Sequence, residues 1–323
     1  MLLVVIEHDR GVLSPASGEA LTFGRTLAAS LGTDLHALTI GAIADDLAAS
    51  FAAHGVAVVH QAHHELLADY GPEAWGESVA HAVRVLSPSV VLATGTDRGN
   101  EVLAQAAARL GLAFLANALE VSATDSAWEI MRVRWGGSLI EHASLTGEVK
   151  LLSLAHHAVS ISLAEAPGAA VAEPFAVTLD PSLARSIVAD RVERAAGVTL
   201  ATAPVVVSGG RGVGSADAFA PLEELAALLG GVVGCSRAVT NNGWRPHTDQ
   251  VGQTGTRIAP DIYLACGISG AIQHWVGAMA SKRILAINTD KEANMVVKAD
   301  YAVIGDLHKI VPAITAEILR RRG

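Results

Sequence analysis

The residues from 249 to 274, Asp-Gln-Val-Gly-Gln-Thr-Gly-Thr-Arg-Ile-Ala-Pro-Asp-Ile-Tyr-Leu-Ala-Cys-Gly-Ile-Ser-Gly-Ala-Ile-Gln-His, gather in one stretch the side chains that grip a charged, partly polar ligand. In the second half an apolar run at 262–266 gives way to Gly267 and Gly270, with Ser269 between them as a helix N-cap and a helix expected from Ala271 towards Met279. A helix start leaves backbone N–H groups without partners, and with the positive end of the helix dipole these favour an anion. Glycines, having no Cβ, let a pyrophosphate come close to the backbone. The first half, 250–256, is a polar loop with two glycines that sets amides and hydroxyls beside the anion site. A ligand with both a phosphate and a polar heterocycle suits this arrangement, although the same pattern also describes an ordinary connecting turn.

Other strand ends of the C-terminal half repeat the theme. The apolar run at 205–207 stops at Ser208-Gly209-Gly210-Arg211-Gly212, and that at 232–233 stops at Gly234-Cys235-Ser236-Arg237. The run at 284–287 stops at Asn288, and that at 301–304 at Gly305-Asp306. In an open parallel sheet, ligands bind in the crevice beyond the carboxyl ends of the strands. The series Gly209-Gly210-Arg211-Gly212-Val213-Gly214 departs from the strict dinucleotide fingerprint, because Ser215 stands where a further glycine or alanine belongs. Arg211 suits a pyrophosphate through its planar fork, or caps a surface loop; Arg237 suits a charge at a cofactor ring, or an interdomain salt bridge. His274, one turn into the expected helix, either faces the same cleft or packs as a satisfied core histidine. Trp244 and Trp275 suit stacking on a ring or plain burial.

The elements that must hold these residues follow from composition and periodicity. The chain has 323 residues, 51% of them hydrophobic and 17% charged, with a mean hydropathy of +0.39. That balance fits two domains built on parallel sheets covered on both faces, or a large buried partner surface. A net charge of -9 argues against nucleic acid. The apolar runs break before membrane-spanning length, and the opening Met-Leu-Leu-Val-Val-Ile-Glu enters a strand at once, so a cytoplasmic location is expected. Cys235 and Cys266, in apolar or glycine-rich settings, are expected as reduced thiols.

Within residues 1–165, runs at 2–6, 35–40, 56–59 and 90–94 read as buried strands and those at 18–31, 72–86 and 99–110 as helices. Shorter β runs at 119–133 and 149–154, turning at Gly136-Gly137, are expected to extend the sheet edge. His60, His63 and His64 are expected in a solvated loop, since no cysteine or acidic pair nearby completes a metal site. Residues 165–174, rich in Ala, Pro, Gly and Glu, read as a linker, with runs at 176–179 and 186–193 as bridging strands. The expected division is therefore 1–165, a linker with bridging strands at 166–203, and a second α/β domain at 204–323, with a supporting helix at 219–229.

Taken in order, the motifs Ser208-Gly209-Gly210-Arg211-Gly212, Ser236-Arg237, Gln250-Val251-Gly252-Gln253-Thr254-Gly255, Gly267-Ile268-Ser269-Gly270-Ala271-Ile272-Gln273-His274, Ala286-Ile287-Asn288 and Asp300-Tyr301 through Asp306-Leu307 resemble the alpha subunit of electron-transfer flavoproteins. The likeness is close across about 204–314 and looser across 1–200. It implies an α/β fold of two Rossmann-like open parallel-sheet domains joined by a linker, the C-terminal one binding FAD, in a heterodimer with a beta subunit. It implies an electron carrier, with no substrate chemistry of its own, that takes electrons from a dehydrogenase and passes them to a quinone reductase or another acceptor. By the same resemblance Arg211, Ser236, Arg237, Val251, Gly252, Gln253, Thr254, Ser269, Gly270, Ala271, Ile272, Gln273, His274, Asn288, Asp306 and Leu307 would contact FAD. Arg237 would lie over the isoalloxazine, Thr254 near N5 and His274 at the O2 edge, which agrees with the tuning of flavins by charge near N1 and hydrogen bonds near N5.

Two departures stand out: Ala238-Val239-Thr240-Asn241-Asn242 replaces the family's usual acidic step after Ser236-Arg237, and Thr256-Arg257 replaces its common lysine. Some relatives bifurcate electrons using a second flavin in the beta subunit, which the alpha chain alone leaves open. An alternative from the enzyme class is a stand-alone flavin-dependent oxidoreductase, which needs a general acid or base beside the flavin; His274 is its strongest candidate. A non-redox nucleotide-binding scaffold would leave Arg237, Thr254 and His274 without a task.

Overall fold

Alternating side chains of the opening strand β1 (Leu2–Val5) set the layers of the first unit. Leu3 and Val5 join one buried cluster and Leu2 and Val4 another, so the strand is covered on both faces. The computed structural model describes residues 1–123, 127–189 and 198–322. Its contacts divide the chain into two compact units, Met1–Trp135 with Leu139–Val192, and Gly136–Ser138 with Glu193–Gly323.

The first unit holds β1, helix α1 (Pro15–Ser30), β2 (Leu35–Ile40), β3 (Val58–His63), α2 (Pro72–Leu86), β4 (Val90–Thr94), α3 (Asp97–Leu110), β5 (Phe114–Ala123), β6 (Trp128–Arg134), β7 (Leu139–Leu145), β8 (Lys150–Leu154) and β9 (Val171–Ala176). These strands form one nine-stranded sheet in the order β9-β3-β2-β1-β4-β8-β5-β6-β7. All neighbours are parallel except β5 with β6 and β6 with β7. Trp75 and Val79 of α2 with Val102 and Leu103 of α3 cover one face; Leu21 and Leu27 of α1 with Phe51 cover the other. Thr96 starts α3 by accepting the Gly99 N–H at 3.0 Å, and Gly111 ends it in the left-handed region at φ 65°.

Several expectations are corrected here. The run at 149–154 does not extend the edge: β8 inserts between β4 and β5, where Leu151 and Leu152 are fully buried. Sequence order carries no trace of that insertion. The run at 119–133 is two antiparallel strands, β5 and β6, with residues 124–126 outside the described set. The expected linker at 165–174 overlaps β9, which pairs with β3 from Val171 to Ala176 as an edge strand; Pro174 is tolerated there because an edge strand need not donate on both sides. Residues 177–179 and 186–189 form no strand, and the rest of the second bridging run lies outside the described residues. His60 and His63 sit inside β3 rather than in a solvated loop. His60 is 5% exposed and its Nε2 lies 2.9 Å from Nδ1 of His36 on β2, while His63 pairs with Asp45 at 2.9 Å.

The second unit is a simpler doubly wound sheet: β10 (Val205–Gly209), α4 (Ala220–Leu228), β11 (Val232–Cys235), α5 (Arg237–Asn241), β12 (Ile262–Cys266), α6 (Ile272–Ala278), β13 (Ile284–Asn288), α7 (Asn294–Lys298), β14 (Tyr301–Ile304) and α8 (Leu307–Arg322). Its five strands run parallel in the order β11-β10-β12-β13-β14. Helices α4 and α8 bury Leu222, Leu225, Leu307 and Val311 against Val207, Leu264 and Ile287. On the opposite face, α6 and α7 bury Ala278 and Met295 against Val206, Tyr263 and Ala265. Both cysteines are buried, and burial pushes each thiol up to about 12, which keeps them protonated and inert. No helix of the described residues is long and apolar enough to cross a membrane.

Burial lowers the pKa of His8, His36, His54 and His60 from 6.5, with His36 and His60 also opposing each other's charge at His60. In the unfolded chain these groups take up protons first, so the stability they confer is complete above about pH 6.5 and is lost as pH falls through that value towards the lower folded ones. The resistance of the first unit to urea should therefore weaken as pH is lowered from 7.5 to 5.5. A midpoint that holds level or rises on acidification, with m unchanged, would contradict this.

Candidate functional site

At the carboxyl ends of β10, β11, β12 and β13 the backbone itself makes a close junction. Gly210 N–H donates to Cys266 C=O at 2.8 Å and Gly212 N–H to Gly267 C=O at 3.2 Å, so the loops after β10 and β12 lie directly on each other. A Cβ on Gly210 would meet the Gly267 oxygen at 2.2 Å, and Gly267 itself has φ +63°. Only glycine permits this approach. Gly270, at φ +76°, makes a second such contact, since a Cβ there would meet the Met295 nitrogen at 2.4 Å.

Above the junction lies a cleft of about 550 Å³, within the usual range for small-molecule sites. Of the residues expected from sequence, Arg211, Ser236, Arg237, Ser269, Gly270, Ala271, Gln273, His274 and Asn288 line it. Arg211 and Arg237 are exposed, and neither guanidinium has an ion-pair partner among the described residues. By contrast Arg245, on the same unit, is held by both Glu223 and Asp249. Ser236 precedes α5 in extended conformation and makes no side-chain cap, leaving its hydroxyl to the cleft. Asn288 is fixed from both sides: its Nδ2 donates to Ile268 C=O at 3.1 Å and its Oδ1 accepts from Asp290 N–H at 3.1 Å.

The remaining expected residues lie outside this lining. Val251 is 1% exposed in the core, its N–H bonded to Cys235 C=O at 2.9 Å. Gly252 is pressed against α6, where a Cβ on Gly277 would meet its Cα at 2.3 Å. Gln253 and Thr254 are exposed beside the cleft; Gln253 N–H donates to Gln273 C=O at 2.7 Å, which ties the loop to α6. Ile272 is half exposed. Asp306 accepts the His308 N–H at 3.0 Å where α8 begins, and Leu307 is buried in the core; neither is among the residues that line this cleft. Ser269 is not the helix cap: α6 starts at Ile272 behind Ala271, without a side-chain cap.

His274 is 7% exposed, and burial lowers its pKa from 6.5 to about 4, so the ring is neutral at physiological pH. Its Nε2 lies 2.7 Å from the Tyr263 hydroxyl. Sequence reasoning missed Asn241, Asp290 and Ala293 in the lining. Asn241 lies in the very stretch where the chain leaves the family pattern, and Asp290 follows Asn288 by two, so a signal existed for these two. It missed as well the role of Gln250, which is 2% exposed, donates from Nε2 to Thr254 Oγ1 at 2.9 Å and accepts from Thr240 Oγ1 at 2.8 Å. Gln250 thus braces the loop from inside.

The residues present fit a flavin nucleotide. Two cations without an ion-pair partner among the described residues answer a pyrophosphate and a ring that gains negative charge, the glycine junction allows close approach, and hydroxyls and amides answer polar ring edges.

Comparison with known proteins gives the same direction. A family model described as "Electron transfer flavoprotein FAD-binding domain" matches residues 199–279, and one described as "Electron transfer flavoprotein domain" matches residues 2–182. The chain is 36% identical to the electron transfer flavoprotein subunit alpha of Mycobacterium leprae, over 99% of this chain and 99% of that protein. It is 34% identical to that of Clostridium acetobutylicum, covering 98% and 96%. Against the probable mitochondrial subunit alpha of Caenorhabditis elegans the identity is 35%, covering 98% and 93%. With likeness of this extent along its whole length, the chain belongs to the alpha subunits of the electron transfer flavoprotein family.

Proposed function

We propose that the second unit holds FAD in the cleft beyond β10 to β13, and that the chain works with a beta subunit as a carrier between a donor dehydrogenase and a quinone reductase or comparable acceptor. The observation that carries this reading is the pair Arg211 and Arg237, two guanidiniums that face one glycine-floored cleft without a carboxylate partner among the described residues. Membership of the family implies the heterodimer. Buried, protonated thiols agree with a reducing cytoplasmic setting.

FAD, when bound, supplies the ring that accepts and releases electrons. This chain's residues bind and orient it. Arg211 offers charge to the pyrophosphate and Arg237 to the ring; Ser236, Ser269 and Asn288 offer hydrogen bonds, and Gly270 and Ala271 allow the backbone to approach. Val251, Gly252, Gln253 and Thr254 form the loop beside the cleft, with the Gln253 side chain available to the ligand and the Thr254 hydroxyl, held by Gln250 Nε2, still able to donate its hydrogen. Gln273 and His274 present α6 to it, Ile272 shields the same edge, and Asp306 with Leu307 anchor α8 behind the β13 loop.

Purified with its beta subunit, the protein should carry about one FAD held by this chain. Arg211→Ala should weaken FAD binding by roughly tenfold, about 1.4 kcal/mol. Arg237→Ala should instead make the flavin potential more negative, because the reduced ring carries more negative charge. Solvent exposure of the guanidinium limits the shift to on the order of 30 mV for two electrons, about 1.4 kcal/mol. Equal potentials in native protein and Arg237→Ala, measured at matched FAD content, would remove Arg237 from the ring. A colourless complex that takes up no added FAD would end the whole reading.

The junction between loop and helix can be tested separately. Gly277→Ala places a Cβ against the Gly252 backbone and should destabilise the second unit by roughly 1–3 kcal/mol, with FAD lost in parallel. A variant with unaltered urea midpoint and unaltered FAD content would show that the loop does not depend on this contact.

A further inference from the structure

Glu19 is a carboxylate that the first unit buries and the cofactor reading leaves without a role. It lies on the inner face of α1, 7% exposed, and among the described residues no lysine or arginine pairs with it. Taking a carboxylate out of water costs free energy unless a cation or several hydrogen bonds replace the water. What meets Glu19 is the turn after β8. Its Oε2 accepts the His157 N–H at 2.8 Å, and its Oε1 lies 3.2 Å from Nδ1 of the same histidine. The ring of His156 stacks on that of His157, with centroids 3.8 Å apart and planes at 27°.

The backbone holds these groups in place. Ala158 N–H closes the turn on Ala155 C=O at 3.1 Å, and His157 takes φ 61°, the left-handed region in which glycine or asparagine is the ordinary occupant. Fully buried Leu151 and Leu152 of β8 fix the turn from one side. On the other side Ser162 N–H donates to Thr22 Oγ1 at 3.1 Å, and Ile161 lies over Gly18, where a Cβ would meet its Cδ1 at 2.9 Å. The three side chains therefore stand on supported backbone.

One oxygen of Glu19 and one ring nitrogen each of His156 and His157 fall within 4.8 Å of one another. In a tetrahedral zinc site, bonds of about 2.0–2.2 Å put neighbouring ligand atoms roughly 3.3–3.6 Å apart. Glu19 Oε1 and His157 Nδ1 have nearly that separation already, at 3.2 Å. The part-exposed His156 ring has to swing out of the stack to turn a nitrogen into the gap. His157 Nε2 makes no hydrogen bond among the described residues, so the ring hydrogen can pass there from Nδ1 without breaking one. Two imidazoles and one carboxylate suit zinc, copper, nickel or iron rather than magnesium or calcium, which take oxygen.

We propose that Glu19, His156 and His157 form a three-ligand site for a divalent transition metal, zinc or an ion of similar preference, that clips the turn after β8 to α1. Both histidines are part-exposed, which leaves one side of the site open for water as the fourth ligand. The ion answers the charge of the buried carboxylate, and by binding the folded state it stabilises the first unit. The site does not depend on the cofactor proposed for the second unit.

The test is calorimetric titration of Zn²⁺ into the chelator-stripped complex of this chain with its beta subunit at pH 7.5, beside Glu19→Gln, His156→Ala and His157→Asn, the last chosen because asparagine tolerates the left-handed turn. Native complex should show a Zn²⁺ site of micromolar or tighter affinity. Loss of one ligand should weaken it by no less than the roughly 10- to 100-fold that a lost supporting contact costs. Zn²⁺ should also raise the urea midpoint of the native complex but not that of Glu19→Gln, and Mg²⁺ at the same concentration should raise neither. His63→Ala, which removes a separate histidine–carboxylate pair at 2.9 Å, should leave the site intact. A native complex that binds no Zn²⁺ at this affinity overturns the proposal, as does a site that survives Glu19→Gln or His156→Ala at native affinity, or one that is lost in His63→Ala. If His157→Asn does not fold, Glu19→Gln and His156→Ala decide alone.

Discussion

Backbone contact between Gly210, Gly212 and Gly267 is the constraint from which the C-terminal site follows. Two loops from adjacent parallel strands can rest on each other only where neither carries a Cβ, and here a Cβ on Gly210 would sit 2.2 Å from a carbonyl oxygen. Once these loops are in contact, the residues that follow them, Arg211 after β10 and Ser269 after β12, are delivered to the same cleft. Gly270 repeats the device one element further on, against α7. Any side chain at these positions would separate the loops and widen the floor on which a ligand must rest.

Charge is then distributed by what is left unpaired. Several arginines among the described residues are spoken for: Arg109 and Arg84 by Glu77, Arg132 by Glu141, Arg245 by Glu223 and Asp249. These pairs are mostly part-buried, whereas an ion pair at an exposed arginine contributes little to stability, of order 0–1 kcal/mol. Arg211 and Arg237, exposed and without such partners among the described residues, cost the fold correspondingly little by lacking them. His274 follows the opposite logic. Buried and neutral, with a pKa of about 4, it offers shape and hydrogen bonding rather than charge in the resting cleft.

Legibility in the sequence depended on whether the information was local. The strand ends of the second unit were readable because each couples an apolar run to glycine, serine or arginine within a few residues, and the parallel sheet then brings those ends together. What could not be read were partners distant in sequence. Nothing at 149–154 says that β8 slips between β4 and β5, and nothing in an Ala, Pro and Gly-rich stretch says that 171–176 adds an edge strand. His60 was misplaced for the same reason, since its burial depends on His36 and on β9, both supplied by other segments. Asp306 and Leu307 were singled out by a family pattern; in this fold one carboxylate oxygen of Asp306 accepts the His308 N–H at the start of α8 and the leucine is inside the core.

The loop at 250–256 shows how a flexible-looking stretch can still present groups in fixed positions. Its interior is closed by Gln250, whose amide satisfies Thr254 and Thr240 at once, and by Thr256 N–H returning to Gln250 C=O at 2.7 Å. Its underside is closed by glycine: Gly252 and Gly277 cross with no room for a methyl group between them. The backbone bond from Gln253 to Gln273 then makes loop and α6 a single piece. With its inner polar groups already satisfied, the loop has Gln253 and Thr254 exposed beside the cleft. Rigid support with unspent outer hydrogen-bonding capacity is what a cofactor-orienting loop requires, because little ordering entropy remains to be lost when the ligand arrives.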